Sequence, residues 1–317
     1  MGKSIISIDL GGTKCAGAVI SEKGNIIAQD KENISGLSGD QVGELICSLS
    51  HDVLHQTGID ISKIYGIGIS VPGISYKEKG TVWAPNIPGW GNYSLKEKIE
   101  QSFDKKIPVA IDSDRACSIL GEAWLGAAHG CRNAIHLAFG TGIGAGIMVD
   151  GRILRGQNDI AGAIGWLALD DRYPDGYKQF GCFEYNASGD GLSRLTSDVF
   201  HADNIYSKTS LNPHLVSAEE IFQAYEEKDI LARAVIEKAV VYWGKGVANL
   251  VSIFNPEKII FGGGLFGPGL KFLDQIYIEA KKYAQPVAIN LVELCGGKLG
   301  TDAQLFGAVR MMMDEFL

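Results

Sequence analysis

The chain has 317 residues and a formal net charge of -8, with 46% hydrophobic residues, 21% charged residues and six cysteines that form no CxxC pair. These values fit a globular protein of about two domains with free thiols in a reducing cytoplasm, and the acidic balance argues against a nucleic-acid surface. No apolar run reaches the roughly 20 residues of a membrane span, and Asp9 interrupts the first apolar run too early for a signal peptide.

The first segment predicts a glycine turn between two strands. The apolar runs 5–8 and 16–20 flank residues 9–14, which read Asp-Leu-Gly-Gly-Thr-Lys, and a third strand starts at 26–28. A P-loop would need GxxxxGK[ST] before a helix, so this turn is not one, but its N–H groups can still bind anionic oxygens. Asp9, at a strand end, is a candidate Mg²⁺ ligand, with a plain hairpin as the alternative.

Strands and helices then alternate, which predicts an α/β protein with a mixed or parallel sheet. The predicted helices are 42–57, 95–103 and 116–125, and the predicted strands are 64–71 and 109–111. Asp114 follows the second of these strands, where α/β sheets bind ligands, so its carboxylate could accept a proton from a substrate hydroxyl. The alternative is a helix N-cap, a role that Ser113 or Asp114 would fill well.

Residues 76–90 are predicted to form a long polar loop that contains Trp83, Asn86 and Trp90. Aromatic and amide groups in one loop can shape a polyol pocket. A surface loop anchored by its two tryptophans is the alternative interpretation.

A second glycine turn, at 140–144, lies between the apolar runs 135–139 and 146–149. Thr141 follows Thr13 by 128 positions, and a repeat of this length predicts two similar domains that each open with a β-meander. Coincidence between two glycine-rich hairpins is the alternative. Because two such turns can hold a polyphosphate from two sides, an NTP-using enzyme is the leading interpretation.

The last third of the chain predicts mainly helices. Ser217 and Glu220 have the spacing of a capping box, which predicts a helix start. Further elements are expected as a helix at 230–254, a strand at 259–261, the glycine turn Gly262–Gly264 and a final helix at 302–316. Glycines after a buried strand let a phosphate or a flat ligand approach the backbone. The alternative is a simple loop, which the same residues would also form.

As an ordered set, these motifs resemble the ROK family of sugar kinases, within the actin-like and hexokinase-like ATPase superfamily. The resemblance covers nearly the whole chain and rests on residues 9–14, 71–73, 84–90, 112–114, 120–122, 140–144, 255–264 and 299–308. It implies an α/β fold of two RNase-H-like lobes with ATP, Mg²⁺ and a sugar in the cleft between them, and a homodimer. We expect a small lobe of residues 1–115 plus 300–317 and a large lobe of residues 116–299.

The resemblance also implies roles for individual residues. Asp114 occupies the position of the catalytic base, and Asp9 matches the aspartate on the magnesium side. The positions that match the phosphate loops are Gly11, Gly12, Thr13, Lys14, Gly140, Thr141 and Gly142, those of the adenosine loop are Gly262, Gly263 and Gly264, and those of the sugar pocket are Gly73, Asn86, Ser113 and Asp114. The implied reaction transfers phosphate from ATP to a primary hydroxyl of a hexose, an aminosugar or a cyclitol.

The chain departs from the family where most members carry a structural zinc. Ala163 replaces the glutamate and Trp166 replaces the histidine of the Glu-x-Gly-His motif, and two cysteine positions fall on Tyr177 and Asp175. Only Cys182 remains, and one thiolate cannot make a four-ligand site. We therefore predict that the protein has no structural zinc.

The same departure alters the implied sugar pocket. Loss of the glutamate and the histidine removes hydrogen bonds that other members make near C1 and C2 of the sugar, and Trp166 offers a flat apolar face instead, although Glu184 is retained as one polar contact. The substrate is therefore expected to differ from glucose or N-acetylmannosamine at C1 and C2. Alternatively, Trp166 only fills the space that zinc vacates. Asp112, where many members have glutamate, could meet a substrate amino group.

Two other functions stay open. One is a sugar-sensing protein without catalysis, which retention of both glycine turns argues against. The other is a repressor, whose helix-turn-helix would precede the first phosphate loop. Only eight residues precede Asp9, which disfavours it.

Overall fold

A computed structural model describes residues 3–202 and 209–316. In this part of the chain the strands are β1 (Ser4–Leu10), β2 (Lys14–Ser21), β3 (Ile26–Asn33), β4 (Ile64–Val71), β5 (Ile74–Tyr76), β6 (Thr81–Trp83), β7 (Val109–Ser113), β8 (Ala134–Phe139), β9 (Ile143–Val149), β10 (Arg152–Ile153), β11 (Lys258–Gly262) and β12 (Glu293–Gly296). The helices are α1 (Asp40–Thr57), α2 (Leu95–Ser102), α3 (Asp114–Leu125), α4 (Tyr177–Phe180), α5 (Cys182–Ala187), α6 (Gly189–Ala202), α7 (Ala218–Glu226), α8 (Ile230–Phe254), α9 (Leu273–Ala280) and α10 (Ala303–Phe316). None of these helices is both long and apolar enough to cross a membrane.

The chain divides into two compact units. The first comprises Met1–Gly130, Ile153–Ala161 and Lys298–Leu317, and the second comprises Cys131–Arg152 and Gly162–Gly297. These bounds differ from the predicted lobes, which separate α3 from the first unit. Helix α3 belongs there because it packs along α10, where its Cys117 shares an apolar cluster with Leu305 and Val309.

Each unit contains one five-stranded mixed sheet, and the two sheets have the same topology. The strand order is β3-β2-β1-β4-β7 in the first and β10-β9-β8-β11-β12 in the second. In both, an antiparallel hairpin leads into strands that run parallel to its first member. The predicted repeat of an opening β-meander is therefore confirmed, and coincidence between two hairpins does not explain the shared order.

Helices cover both faces of the first sheet, and the alternation along β1 explains how. Ile6 and Ile8 join the cluster that contains residues of α1, whereas Ile5 joins the cluster that contains residues of α10. Side chains of successive strand residues point to opposite faces, so one strand supplies both cores. Gly68 on β4 is needed for the close approach of α10, because a Cβ there would lie 2.2 Å from the carbonyl oxygen of Ala308.

The structure tests two local predictions, the capping box at Ser217 and the polar loop at residues 76–90. The capping box at α7 is confirmed, since the Ser217 hydroxyl accepts the Glu220 N–H and the Glu220 carboxylate accepts the Ser217 N–H. The uninterrupted polar loop at residues 76–90 is wrong, because β5 and β6 pair there as a hairpin. Trp90, which follows this hairpin in the sequence, is buried and stacks on Tyr93.

Candidate functional site

In the first unit, three neighbouring strands end in a row of polar residues. The parallel register pairs Asp9 of β1 with Ser70 of β4, and Ser70 with Asp112 of β7. Asp114 follows β7 as the first residue of α3. The fold thus brings the predicted magnesium-side aspartate and the predicted base to the same carboxyl edge of one sheet, where ligands of α/β sheets bind.

Asp9 is an acid in an unfavourable setting. Burial, and then the nearby negative charge of Asp114, raise the pKa of Asp9 from 3.8 to about 6, although Ser70 and Lys31 oppose the rise. A plain hairpin aspartate would be solvated and would titrate normally. Asp9 is instead a partly buried carboxylate close to a second one, and the magnesium role that the sequence suggests for it stays a prediction.

The Asp114 side chain is not used for capping. Ser113 is the N-cap of α3, and its hydroxyl accepts the Ala116 N–H at 3.3 Å. The Asp114 carboxylate accepts the N–H of Arg115 at 2.8 Å. Burial raises the pKa of Asp114, while Arg115 lowers it in part. Since Ser113 satisfies the helix end, the carboxylate of Asp114 remains available to a ligand.

Asp112 does not present a free carboxylate to a substrate amino group, contrary to the expectation from sequence. It is 2% exposed, and Arg155 donates to both of its oxygens, Nη1 to Oδ1 at 2.8 Å and Nη2 to Oδ2 at 2.6 Å. Oδ1 also accepts the N–H of Ser113 at 2.8 Å. Sequence reasoning missed Arg155, which lies 43 positions further along the chain.

The remaining residues predicted for this unit lie in turns near these strands. Between β1 and β2 the Gly11 N–H donates to the carbonyl of Lys14 at 2.8 Å, and a Cβ added at Gly12 would meet no atom within 4 Å. Gly73 has a φ of 97°, and a Cβ there would lie 2.2 Å from the Trp83 carbonyl oxygen. Because glycine has no Cβ, the turn after β4 can pack closely against β6, the strand that leads to the exposed Asn86.

The second unit contains an open pocket of about 380 Å³. The predicted residues Gly140, Thr141 and Gly264 line it together, so the second glycine turn and the glycine turn after β11 meet at one place. Its other lining residues were not predicted and come from α6, α7 and the turn after β11: Gly189, Asp190, Ser193, Ser217, Ala218, Glu219, Phe222, Leu265 and Pro268. The capping box at Ser217 was visible in the sequence, but its place beside the glycines was not.

The three glycines after β11 differ in how much space surrounds the position of a Cβ atom. Gly263 has a φ of 84°, and a Cβ there would lie 2.2 Å from the Phe139 carbonyl oxygen. A Cβ at Gly262 would lie 2.5 Å from the His136 ring. Gly264, by contrast, has no atom within 4 Å of such a Cβ. The first two glycines therefore serve close packing within the unit, and Gly264 leaves room in the pocket.

Glu184, in the first turn of α5, supports the second glycine turn. Its Oε2 accepts the N–H of Ile143 at 2.8 Å, and a Cβ at Gly142 would lie 2.7 Å from the same oxygen. Burial raises the pKa of Glu184, which the Ile143 N–H and Arg194 partly offset. A side chain at position 142 would collide with this carboxylate, which explains the glycine there. Glu184 therefore contacts the candidate phosphate loop, in addition to its predicted role as a sugar contact.

The region that resembles the zinc motif is built on a buried tyrosine. Tyr177 is 4% exposed, and its hydroxyl accepts the Asn186 side-chain N–H at 2.7 Å. Trp166 is 58% exposed, so the alternative that it fills vacated core space is wrong. Across residues 3–202 and 209–316 no cluster of three or more His, Cys, Asp or Glu could hold a metal ion. The lack of zinc in the protein stays a prediction.

The sequence profile of the ROK family matches residues 5–315 of the chain. The chain belongs to the ROK family. It is 33% identical over 311 residues to a glucokinase from Halalkalibacterium halodurans, covering 95% of this chain and 92% of that protein. It is 30% identical over 322 residues to a xylose repressor from Caldicellulosiruptor bescii, covering 99% of this chain and 79% of the repressor.

A solved ROK family structure is also similar over almost its whole length. The glucokinase from Streptomyces griseus, solved in complex with glucose and AMPPNP, is 28% identical with a TM-score of 0.74, and the match covers 96% of this chain and 97% of that one. The two mixed sheets of this ROK protein thus have the actin-like ATPase fold that the sequence predicted. The kinases among its relatives support sugar kinase activity, although the family also includes the repressor.

Proposed function

We propose that this chain is an ATP-dependent kinase that phosphorylates a primary hydroxyl of a hexose-like substrate. The observation that carries the proposal is the pair of partly buried carboxylates, Asp9 and Asp114, at one sheet edge of a ROK family protein. Relatives that are glucokinases, one of them solved with glucose and AMPPNP, support both substrates. Similar pairs of perturbed acids mark functional sites more often than chance would allow.

In the proposed reaction, Asp114 accepts the proton of the sugar hydroxyl as the oxygen attacks the γ-phosphorus of ATP, and the bond from this phosphorus to the bridging oxygen breaks, so that ADP leaves. A general base of this kind contributes about 10²–10⁴-fold to the rate. The raised pKa of Asp114 brings its basicity closer to neutral pH, where a base is most effective. Asp9 would hold Mg²⁺ directly or through water, and the ion would neutralise phosphate charge. The glycine turns at 11–14 and 140–142 would bind phosphates, and the pocket at Gly264 would bind the nucleoside.

The test compares Asp114→Asn with Asp40→Asn, because Asp40 is likewise the first residue of its helix. Purified variants are assayed for ADP release with glucose, fructose, aminosugars and inositols, and for ATP binding by calorimetry. We expect Asp114→Asn to lose at least about 100-fold in turnover while it still binds ATP, and Asp40→Asn to keep the turnover and the ATP affinity of the unmodified chain. Near-normal turnover of Asp114→Asn would refute the base assignment.

The substrate class is proposed from the altered pocket end. Ala163 removes a carboxylate and the exposed Trp166 supplies an apolar face, which favours a hexose, aminosugar or cyclitol altered at C1 or C2. A clear preference for plain glucose in the panel would contradict this. If the chain binds a sugar but releases ADP with none of the sugars in the panel, a sugar-sensing protein without catalysis is favoured instead. The similarity to a xylose repressor is the observation behind this second candidate.

Two further properties are part of the proposal. We expect a homodimer, which light scattering of the purified chain would detect. We also expect no structural zinc, because Tyr177 and Asp175 stand where ligands would be needed. Elemental analysis after treatment with a chelator tests this, and one zinc per chain would refute it.

A further inference from the structure

Arg155 connects a distant part of the sequence to the strand that carries the proposed base. It follows β10, yet residues 153–161 belong to the first unit, as does Asp112. Its two terminal nitrogens, Nη1 and Nη2, donate to the buried Asp112 carboxylate at 2.8 and 2.6 Å. Charge-assisted bidentate pairs of this type combine strength with a defined orientation.

The pair acts on the start of α3 through a short chain of contacts. Asp112 Oδ1 accepts the Ser113 N–H, and the Ser113 hydroxyl caps the helix whose first residue is Asp114. The other cation near Asp112 is Lys77, whose Nζ lies 3.8 Å from Oδ2 and 3.4 Å from Glu315. At a greater distance, and without a fork, Lys77 cannot fix the carboxylate plane as Arg155 does.

We propose that Arg155 is a positioning residue of the phosphotransfer site, which holds Asp112 and thereby orients Ser113 and Asp114 at the start of α3. The inference rests on the proposed kinase function. Arg155 also neutralises the carboxylate nearest in sequence to the base. The Asp159 carboxylate lies 3.7 Å from Nη1 and is a second, weaker partner of the guanidinium. Through Ser113, Arg155 acts on the position of Asp114, and by neutralising Asp112 it removes a negative charge two positions from the base.

The geometric role predicts a loss in turnover rather than in nucleotide affinity. Arg155→Met removes the fork and the charge, and a misplacement of about 1 Å in a base can cost about 100-fold in rate. We expect kcat to fall by about 10- to 100-fold, with the KM for ATP changed less than about twofold. Arg155→Lys restores charge without the fork, so its kcat should recover only in part.

The electrostatic role predicts opposite shifts in the acidic limb of kcat/KM. Arg115 partly lowers the pKa of Asp114, and Asp114 in turn raises that of Asp9 on β1. Asp112, two positions before the base, is paired with Arg155 and Lys77. Arg155→Met leaves the Asp112 anion less neutralised, which should move the limb to higher pH by up to about one unit. Asp112→Asn removes the bidentate partner of Arg155 and leaves Asp159 as its remaining carboxylate, so the positive charge is less neutralised and should move the limb to lower pH. The double variant, which lacks both charges, should return it toward its original position.

Arg310→Met is the matched control, because Arg310 makes a similar two-nitrogen pair with Asp314 on the surface of α10. We expect it to leave kcat and the pH profile unchanged. Unchanged kcat and pH limb in Arg155→Met would overturn the inference while the kinase assignment stands. Should Arg155→Met not fold, as judged by its melting temperature, an unshifted limb in the isosteric Asp112→Asn overturns it. An unmodified chain without phosphorylation of any sugar overturns the proposed function and this inference together.

Discussion

Replacing Asp9 by asparagine should stabilise the protein in the absence of nucleotide. Burial raises the pKa of Asp9 from 3.8 to about 6, a difference of about two units. At about 1.36 kcal/mol per unit, the ionised carboxylate costs the native state about 3 kcal/mol. Asparagine keeps the shape of the side chain and removes its charge. At pH 7.5 we therefore expect the free energy of unfolding of Asp9→Asn to be higher than that of the unmodified chain by up to about 3 kcal/mol.

The sign of the pH dependence follows from proton binding. Because the native pKa of Asp9 lies above the unfolded one, the native state binds the proton more tightly. Stability of the unmodified chain is therefore greatest, as far as Asp9 decides it, below about pH 4 and falls as the pH rises to about 6. The advantage of Asp9→Asn should be complete above about pH 6 and absent below about pH 4.

Urea unfolding in EDTA at pH 7.5 and at pH 4 measures this difference, and hydrogen exchange of the β1 peptide assigns it to the first unit. Asp40→Asn is the control of opposite sign. Hydrogen bonds from Lys98 and Tyr93 lower the pKa of Asp40, so this carboxylate stabilises the fold at neutral pH. We expect Asp40→Asn to lose stability at pH 7.5. An Asp9→Asn variant no more stable than the unmodified chain at pH 7.5 would refute the reasoning.

The same substitution should separate stability from function. If Asp9 holds Mg²⁺, MgATP stabilises the unmodified chain through binding to its native state. Asp9→Asn should start from a higher melting temperature without ligand and gain less when MgATP is added. An equal gain in both proteins would argue that Asp9 is not on the magnesium side.

Three further predictions concern other residues. Gly263→Ala should lower stability by more than about 1 kcal/mol because of its positive φ, whereas Gly264→Ala should keep the melting temperature and raise the KM for ATP. Glu122→Ala should cost about 3 kcal/mol or more in urea unfolding, since this buried carboxylate accepts three backbone N–H groups. Trp166→Ala should change stability by less than about 0.5 kcal/mol and should alter the sugar preference in the ADP-release panel.

Local patterns in the sequence predicted most of the elements. The run at 64–71 became β4 with the same bounds, and the helix at 230–254 became α8. Both are long and strongly apolar, so local pattern and burial agree. The hairpin of β5 and β6 was missed because its strands have three residues each, too few to show a period. The row formed by Asp9, Ser70 and Asp112 depends on strand register, which is set by pairing between distant segments.

The candidate site was predicted least well where side chains from distant segments meet. Nothing around Arg155 in the sequence signals a partner 43 positions earlier, and a buried Asp112 needed some cation. Sequence reasoning could have used that requirement. An aspartate between apolar strand residues and a helix cap is expected to be buried, and a buried carboxylate needs a partner. Searching for an arginine in a predicted loop would have produced Arg155 as one candidate among few.

The region that resembles the zinc motif is held together by contacts between protein side chains. Structural zinc contributes to folding because it ties loops that lack an apolar core. Here Tyr177 is buried with its hydroxyl bonded to Asn186, and Cys182 accepts the Leu169 N–H at 3.4 Å. These contacts tie the same loop to α5 with apolar area and hydrogen bonds. If zinc is absent, as we propose, residues near Trp166 can change without a metal ligand to preserve. The substrate panel, and not the fold, will then identify what this kinase candidate phosphorylates.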